Sequence, residues 1–406
     1  MIKIFNKQIT AIELFFIMII PLGALFISNV LYIQLQAITI FLACFVIVIK
    51  ERTVKIKNNV FLFTSLFLFG LGSAVGLYYV IFESNDTYKY IQYCFLTFSA
   101  YIGFKYGYVK SQNNITDFIL FICLSETILF IPLLFKNEFY RSSIGTSNLF
   151  PVILLLMLYP QFWNSSLSKI IGIIVFVLQI LCILLSGMRS SVGLGLFTSV
   201  LLVIYLLRSK KKRIYLINRI LLLLFSAICL YFILPSSFLN SIDSKLHLVE
   251  QRLTLTLFND EGIKIDTDDE KGRKKQGESV LKAIERKNSN NILILGYGHG
   301  FTFFDEMDNE QKAHSHITWT IFYARYGIIG LTLYIVMFCF VFVKLFFLFF
   351  SNISNENIFS FGLWLSVLQI FLLSLIAGSL VSIINWIIIG IAVSFDDMRR
   401  NKNGTL

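Results

Sequence analysis

Runs of about twenty apolar residues, the length that crosses the hydrocarbon of a bilayer, recur along this chain from end to end. They are interrupted at length only once. Twelve such stretches can be marked, at roughly 9–28, 30–49, 60–82, 90–108, 116–135, 148–163, 168–187, 190–207, 214–234, 322–350, 357–377 and 380–395. In lipid a backbone must satisfy its own hydrogen bonds, so each run is expected to be helical. The chain therefore reads as an all-α polytopic integral membrane protein of about twelve transmembrane helices. Its one long hydrophilic stretch, 235–315, separates spans 1–9 (within 1–234) from spans 10–12 and a tail (316–406). The sixth and twelfth runs are short for the task. The first begins near Ile9 and continues directly into the second, so no cleavable signal is expected. The composition agrees: of 406 residues, 56% are apolar and 16% aromatic, far from a soluble domain. All six cysteines (Cys44, Cys94, Cys123, Cys182, Cys229, Cys339) lie inside apolar runs and none forms a CxxC pair. They read as small core residues.

The net charge of +11 is a topology signal, and no nucleic-acid partner is expected. With every span counted, 19 of the 35 basic residues fall at one set of ends, among them Lys50, Arg52, Lys55, Lys57, Lys210, Lys211, Lys212, Arg399 and Arg400. The opposite ends outside the long loop hold only Lys89, Lys136, Arg141, Arg189 and Arg325. By the positive-inside rule both termini face the cytoplasm and 235–315 is extracytoplasmic. That loop carries 14 of the 24 acidic residues. Its part 259–275 is charged and poor in apolar residues and is expected to be mobile. Over 276–287, Val280, Leu281 and Ile284 share a helical face while Glu278 and Lys282 sit four apart on another, as in a short helix lying on the membrane. Leu253 to Leu257 fits strand or helix equally.

All four histidines (His247, His299, His314, His316) lie in this loop or at its exit. Gly296-Tyr297-Gly298-His299-Gly300-Phe301 lacks the strand-helix context of a dinucleotide loop. It is expected to be a tight turn that brings the loop back to the membrane beside a polar ligand. His316 precedes an interfacial belt of Trp319, Tyr323 and Tyr326, where a histidine can move a proton or donate to phosphate. His314 is either its partner or a bystander. Arg189, in a turn between spans seven and eight, runs against the charge bias, and at mid-bilayer it would cost roughly 2.5–3.5 kcal/mol. It should therefore face water, a partner or an anion. Arg273 and the weaker candidate Arg252 lie in the loop, where a solvated charge run is the simpler account. Asp305, Glu306, Asp308 and Glu310 could hold a divalent ion weakly, and a solvated turn is their simpler reading. No HxxxH, HExxH or Cys/His cluster is present, so neither a metal nor a cofactor is expected.

Together the segments LLSGMRSSVGLGLF (184–197), Gly272-Arg273 with GYGHGF 23 residues after the arginine, and HSHITWTIFYARYGIIG (314–330) resemble the O-antigen polymerase and O-antigen ligase family. That family's pattern is similar to an S-x-S-R turn, an arginine, GxGxGxF, then H-N with G-x-x-G eleven and fourteen residues on. Gly327 and Gly330 stand at those distances from His316. Met188 replaces the pattern's serine and Ile317 its asparagine. The resemblance implies a metal-independent glycosyltransferase of the bacterial inner membrane. Its donor would be an oligosaccharide on undecaprenyl diphosphate held among membrane lipid, its acceptor a glycan hydroxyl or, in a ligase, the lipid A core. A chain-length regulator is the protein partner implied. His316, Arg189 and Arg273 would then be catalytic, and Arg252, Gly298, Gly300 and His314 would bind substrate. A transporter is the competing class. It calls for broken helices and mid-membrane ionisable residues, of which Glu126 is the clearest.

Overall fold

The computed structural model describes residues 2–4, 7–9, 60–82, 86–109, 112–134, 148–163, 165–185, 189–209, 213–221, 267–286, 290–305, 309–313, 317–377, 380 and 382–402. The first two expected spans, apart from Ile9, lie outside these residues, as do Leu253–Leu257 and Arg252. A short hairpin stands at the start, β1 (Ile2–Ile4) paired antiparallel with β2 (Lys7–Ile9). Helices then follow the apolar runs: α1 (Val60–Phe82), α2 (Thr87–Val109), α3 (Gln112–Leu134), α4 (Phe150–Leu158), α5 (Ser166–Leu185), α6 (Arg189–Leu207) and α7 (213–221). Further along, within the loop, come α8 (Thr267–Glu285), α9 (Asn290–Leu295), β3 (Phe303–Asp305) and β4 (Glu310–Lys312). The chain closes with α10 (Thr318–Phe350), α11 (Asn355–Ala377) and α12 (Ile383–Lys402).

Among the described residues, three segments are long and apolar enough to cross a membrane: Phe61–Phe82, Thr318–Phe350 and Asn355–Leu375. The first two leave large apolar side chains uncovered, Phe63, Phe67, Phe346 and Phe347 among them. Such surfaces suit a lipid solvent. The chain is a helical membrane protein. The sixth expected span differs from the reading above. Helix α4 has nine residues, about 14 Å at 1.5 Å per residue, under half the hydrocarbon thickness. Pro160 ends it. The residue before a proline is pushed out of helical geometry; Tyr159 sits at φ −126° and ψ 78°, and a single 3-10 turn, Pro160–Phe162, follows.

The chain divides into two compact units. The first comprises 1–33, 112–263 and 345–369. In it the Ser168 hydroxyl on α5 donates to Asp117 on α3 (3.1 Å), and Thr198 on α6 donates to Gln369 on α11 (3.0 Å). Tyr205 stacks on Phe361 with ring centroids 4.0 Å apart. These polar contacts join buried faces of the helices.

The second unit, 34–111, 264–344 and 370–406, holds the candidate site. Helices α1 and α2 are antiparallel: Phe69 meets Phe98 (centroids 5.3 Å) and Ser73 meets Cys94 (3.5 Å). Helices α2 and α12 run parallel in tight contact along Ala100, Gly103 and Gly107 against Ile387, Gly390 and Ser394, where added Cβ atoms would overlap the facing helix. Small residues let helices approach this closely. Lys344 of α10 forms an ion pair with Asp396 of α12, each nearly buried and each close to the C-terminal end of its helix.

Candidate functional site: a glycine turn on a broken helix

Helix α10 is broken after three turns. Gly327 adopts φ 62° and ψ −157°, a conformation that side chains disfavour. A break there interrupts the helical ladder just past the carbonyls of Ala324 and Arg325. The freed carbonyls are used. The N–H of Tyr297 donates to the Ala324 carbonyl (2.8 Å) and the N–H of Gly298 to that of Arg325 (2.7 Å). The next amide, His299 N–H, donates to Gly72 of α1 (2.9 Å). The expected tight turn is thus present, with Gly296, Gly298 and Gly300 all at positive φ. It is tied to the first turns of α10 on one side and to α1 on the other.

The turn sits where α1 has no side chains. A Cβ on Gly76 would strike the backbone of His299, and a Cβ on Gly298 would strike the backbone of Gly76. Gly72 and Gly76, one helical turn apart, form the seat. Gly298 donates its N–H to Arg325, and Gly300 packs against Asp86 and Tyr90.

His299 is the hub. Its imidazole is fully buried, between Gly72, the Tyr90 ring (6.3 Å) and the Tyr326 ring (5.7 Å). Neither ring nitrogen has a partner in normal hydrogen-bond geometry. Burial is the largest influence on its ionisation, and the Arg325 guanidinium adds to it. Together they press the pKa from 6.5 down to about 3, with the Phe69 backbone opposing weakly. The ring is neutral at ordinary pH.

The remainder of the described loop folds as a cap on this turn. Val280 and Ile284 of α8 pack with Tyr297, Phe301, Phe303, Tyr79, Ile321 and Ala324, while Glu278 and Lys282 are exposed, as the periodicity predicts. Helix α8 begins at Thr267, however, inside the stretch expected to be mobile. The sequence explains it. Asp269 and Glu270 precede Arg273 and Lys274 by four residues, a spacing and polarity that favour helix. Asp305 also departs from the solvated turn expected of it. It is buried, accepting hydrogen bonds from Gln276 Nε2 of α8 (2.7 Å) and from Lys312 Nζ across the hairpin of β3 and β4 (2.9 Å). Among the described residues no group of three His, Cys, Asp or Glu could hold a metal; Glu306 and Asp308 lie outside them.

The sequence-predicted residues distribute unevenly. Arg189 opens α6 in the first unit, and Arg273 lies within α8 in the second; their side chains are outside the described part. So are His314, His316 and Arg252. Their flanks are described. Gly277, one turn after Arg273, faces the Ile317 side chain, which would lie 3.0 Å from a Cβ there. Helix α8 therefore reaches the residue that follows His316. Sequence reading passed over Gly72, Gly76, Tyr93 and Arg325. Two signals were present: glycines four apart in a span, and a second arginine, like Arg189, at the set of span ends poor in basic residues.

No protein-family model matches the chain, and no curated protein matches it in sequence.

Proposed function

We propose that this protein is a metal-independent glycosyltransferase of the bacterial cytoplasmic membrane that polymerises repeat units of a surface polysaccharide, O-antigen or capsule. Glycan passes from undecaprenyl diphosphate to an acceptor sugar hydroxyl. One observation carries the reading: helix α8 with Arg273, the glycine turn, and the start of α10 just after His316 converge in one unit. These are three of the four blocks on which the family resemblance rests.

In this reading twelve spans place both termini in the cytoplasm and 235–315 outside. Directions within the second unit support it. Helices α2 and α10 share a contact near their N-terminal ends (Tyr93, Arg325), α10 and α12 one near their C-terminal ends (Lys344, Asp396), and α2 runs parallel to α12. As spans four, ten and twelve they should indeed run the same way. Departure of a lipid diphosphate needs its developing charge stabilised, which arginine forks do well; that is the role of Arg189 and Arg273. His316 orients or deprotonates the acceptor hydroxyl, with His314 and Arg252 at the substrate. A ligase differs only in taking lipid A core as acceptor.

A transporter has two observations in its favour, the break in α10 and the buried Lys344–Asp396 pair. Ion sites in broken helices use the carbonyls that the break releases. Here those carbonyls already accept from Tyr297 and Gly298, and this favours the enzyme.

The test is to delete the gene in its host, restore single variants, and display the surface glycan on a gel. Deletion should leave single-repeat caps on the anchor. Unattached long chains would assign a ligase. With expression checked by blot, Arg189→Lys, Arg273→Lys and His316→Ala should each lower chain formation substantially, by about a hundredfold to a thousandfold where one stabiliser of transition-state charge is lost. Near-normal chains in Arg189→Ala would refute the diphosphate clamp. Purified protein should turn over in EDTA; rescue by magnesium or manganese would refute metal independence.

A further inference from the structure

The connection between β4 and α10 is gripped at Ala313. Its carbonyl oxygen accepts from the Arg325 guanidinium and from the Tyr93 hydroxyl (3.4 Å). The guanidinium lies over the Tyr93 ring, its carbon 3.3 Å from the ring centre. Ala313, Arg325 and Tyr93 are 2%, 3% and 2% exposed, so the clasp is sealed from water. Among the described residues no ion pair joins Arg325 to a carboxylate; its neighbours' pairs include Lys312 with Asp305 and Glu310. A buried cation lacking a counter-ion is a costly way to fill space. The ring face and the carbonyl are what compensate for it. Both need a flat, forked cation, which lysine is not.

The same residue acts twice. Through its main-chain carbonyl Arg325 holds Gly298 of the glycine turn, and through its side chain it holds Ala313. Four residues after Ala313, the Ile317 carbonyl accepts from Thr320 on the first turn of α10 (2.8 Å). The tripeptide His314-Ser315-His316 is thus bracketed by two fixed carbonyls, and one bracket is shared with the glycine turn.

We propose that Arg325 is a positioning residue: with Tyr93 it fixes the Ala313 carbonyl and so sets where the chain enters the histidine tripeptide. That this placement serves glycosyl transfer rests on the role of His316 proposed above. That it exists does not, and the two are tested separately. Misplacing a reacting group by about 1 Å can lower a rate by about a hundredfold, without changing how a donor held elsewhere is bound.

The experiment compares Arg325→Lys, Arg325→Gln and Tyr93→Phe with the parent protein, each purified in lipid nanodiscs. Tyr93→Phe keeps the ring under the guanidinium and removes only the hydroxyl contact, so it is the variant least at risk of misfolding. Hydrogen–deuterium exchange should rise at least tenfold in peptides covering 309–317 of both Arg325 variants, and rise less in Tyr93→Phe. Peptides from α8 and the melting temperature should stay unchanged. Unchanged exchange at 309–317 in all three would overturn the clasp, as would a rise of equal size throughout the protein. With lipid-linked glycan extracted from the host as donor, kcat should fall about a hundredfold in Arg325→Gln while KM for donor stays within twofold. A raised KM at constant kcat would instead make Arg325 a donor ligand and overturn the positioning role. Absence of any turnover in the parent, with the exchange result intact, would refute the glycosyltransferase reading and leave the clasp standing.

Discussion

At the scale of the residue, His299 shows how a turn can be made dependent on pH without being a catalyst. Its ring is enclosed by Gly72, Tyr90 and Tyr326 with Arg325 beside it. Folded, it ionises only near pH 3; unfolded, near 6.5. Between those values the unfolded chain binds a proton that the folded chain does not. The stability contributed by this group is therefore full above about pH 6.5 and falls as the pH drops from there toward about 3. Linkage sets the slope, at most about 1.4 kcal/mol per pH unit for one proton. Melting temperatures taken from pH 7.5 down to 4.5 should fall in the parent protein and fall less steeply in His299→Gln. Parallel curves would mean that the ring can take up its proton in place. The sequence placed His299 in the glycine motif and set His316 apart by its spacing to Gly327 and Gly330. Its burial is what the sequence does not show for His299, because that burial comes from α1, more than two hundred residues away.

At the scale of the element, the break in α10 and the glycine turn are one structure. A glycine inside a helical run costs about 1 kcal/mol against alanine and would pass as a tolerated defect. Its consequence is the pair of carbonyls that it frees for Tyr297 and Gly298. In Gly327→Ala the new Cβ would also overlap the carbonyl of Ile294, and φ near +60° costs an alanine roughly 1–2 kcal/mol. The helix should straighten, the two carbonyls should return to its ladder, and the turn should leave its seat. Exchange of the 296–301 amides would then rise sharply, while 355–377 in α11 stays protected. Gly298→Ala should give the same pattern from the other side, since its Cβ meets the backbone of Gly76. Protection of 296–301 equal to the parent's in both variants would refute the coupling. The spacing of His316, Gly327 and Gly330 was legible as a motif. The docking was not, because a hydrogen bond between segments 27 residues apart leaves no periodicity to read.

At the scale of the whole molecule, hydrophobic run length was the most legible feature. Helix α1 covers the expected 60–82, and α10 and α11 lie within a few residues of their expected stretches. Run length failed at 148–163, where apolar composition concealed Pro160 as a terminator. It was silent on the cap, because α8 owes its first turns to charge spacing and its last to an apolar face. What composition alone cannot supply is the side of the membrane, which rests on the basic residues. A nine-residue α4 makes that parity worth testing directly, since one span more or fewer moves the loop to the other side. The twelve-span reading puts Ser209, just past α6 beside Lys210 to Arg213, in the cytoplasm and Ser289, between α8 and α9, outside. Cysteines placed singly at these two positions, in a background with the six native cysteines replaced, should differ in intact cells. An impermeant thiol reagent should label position 289 at once and position 209 only after the membrane is opened. Labelling of both positions in intact cells, or of neither, would overturn the twelve-span reading, and with it the outer placement of the glycine turn on which the proposed function depends.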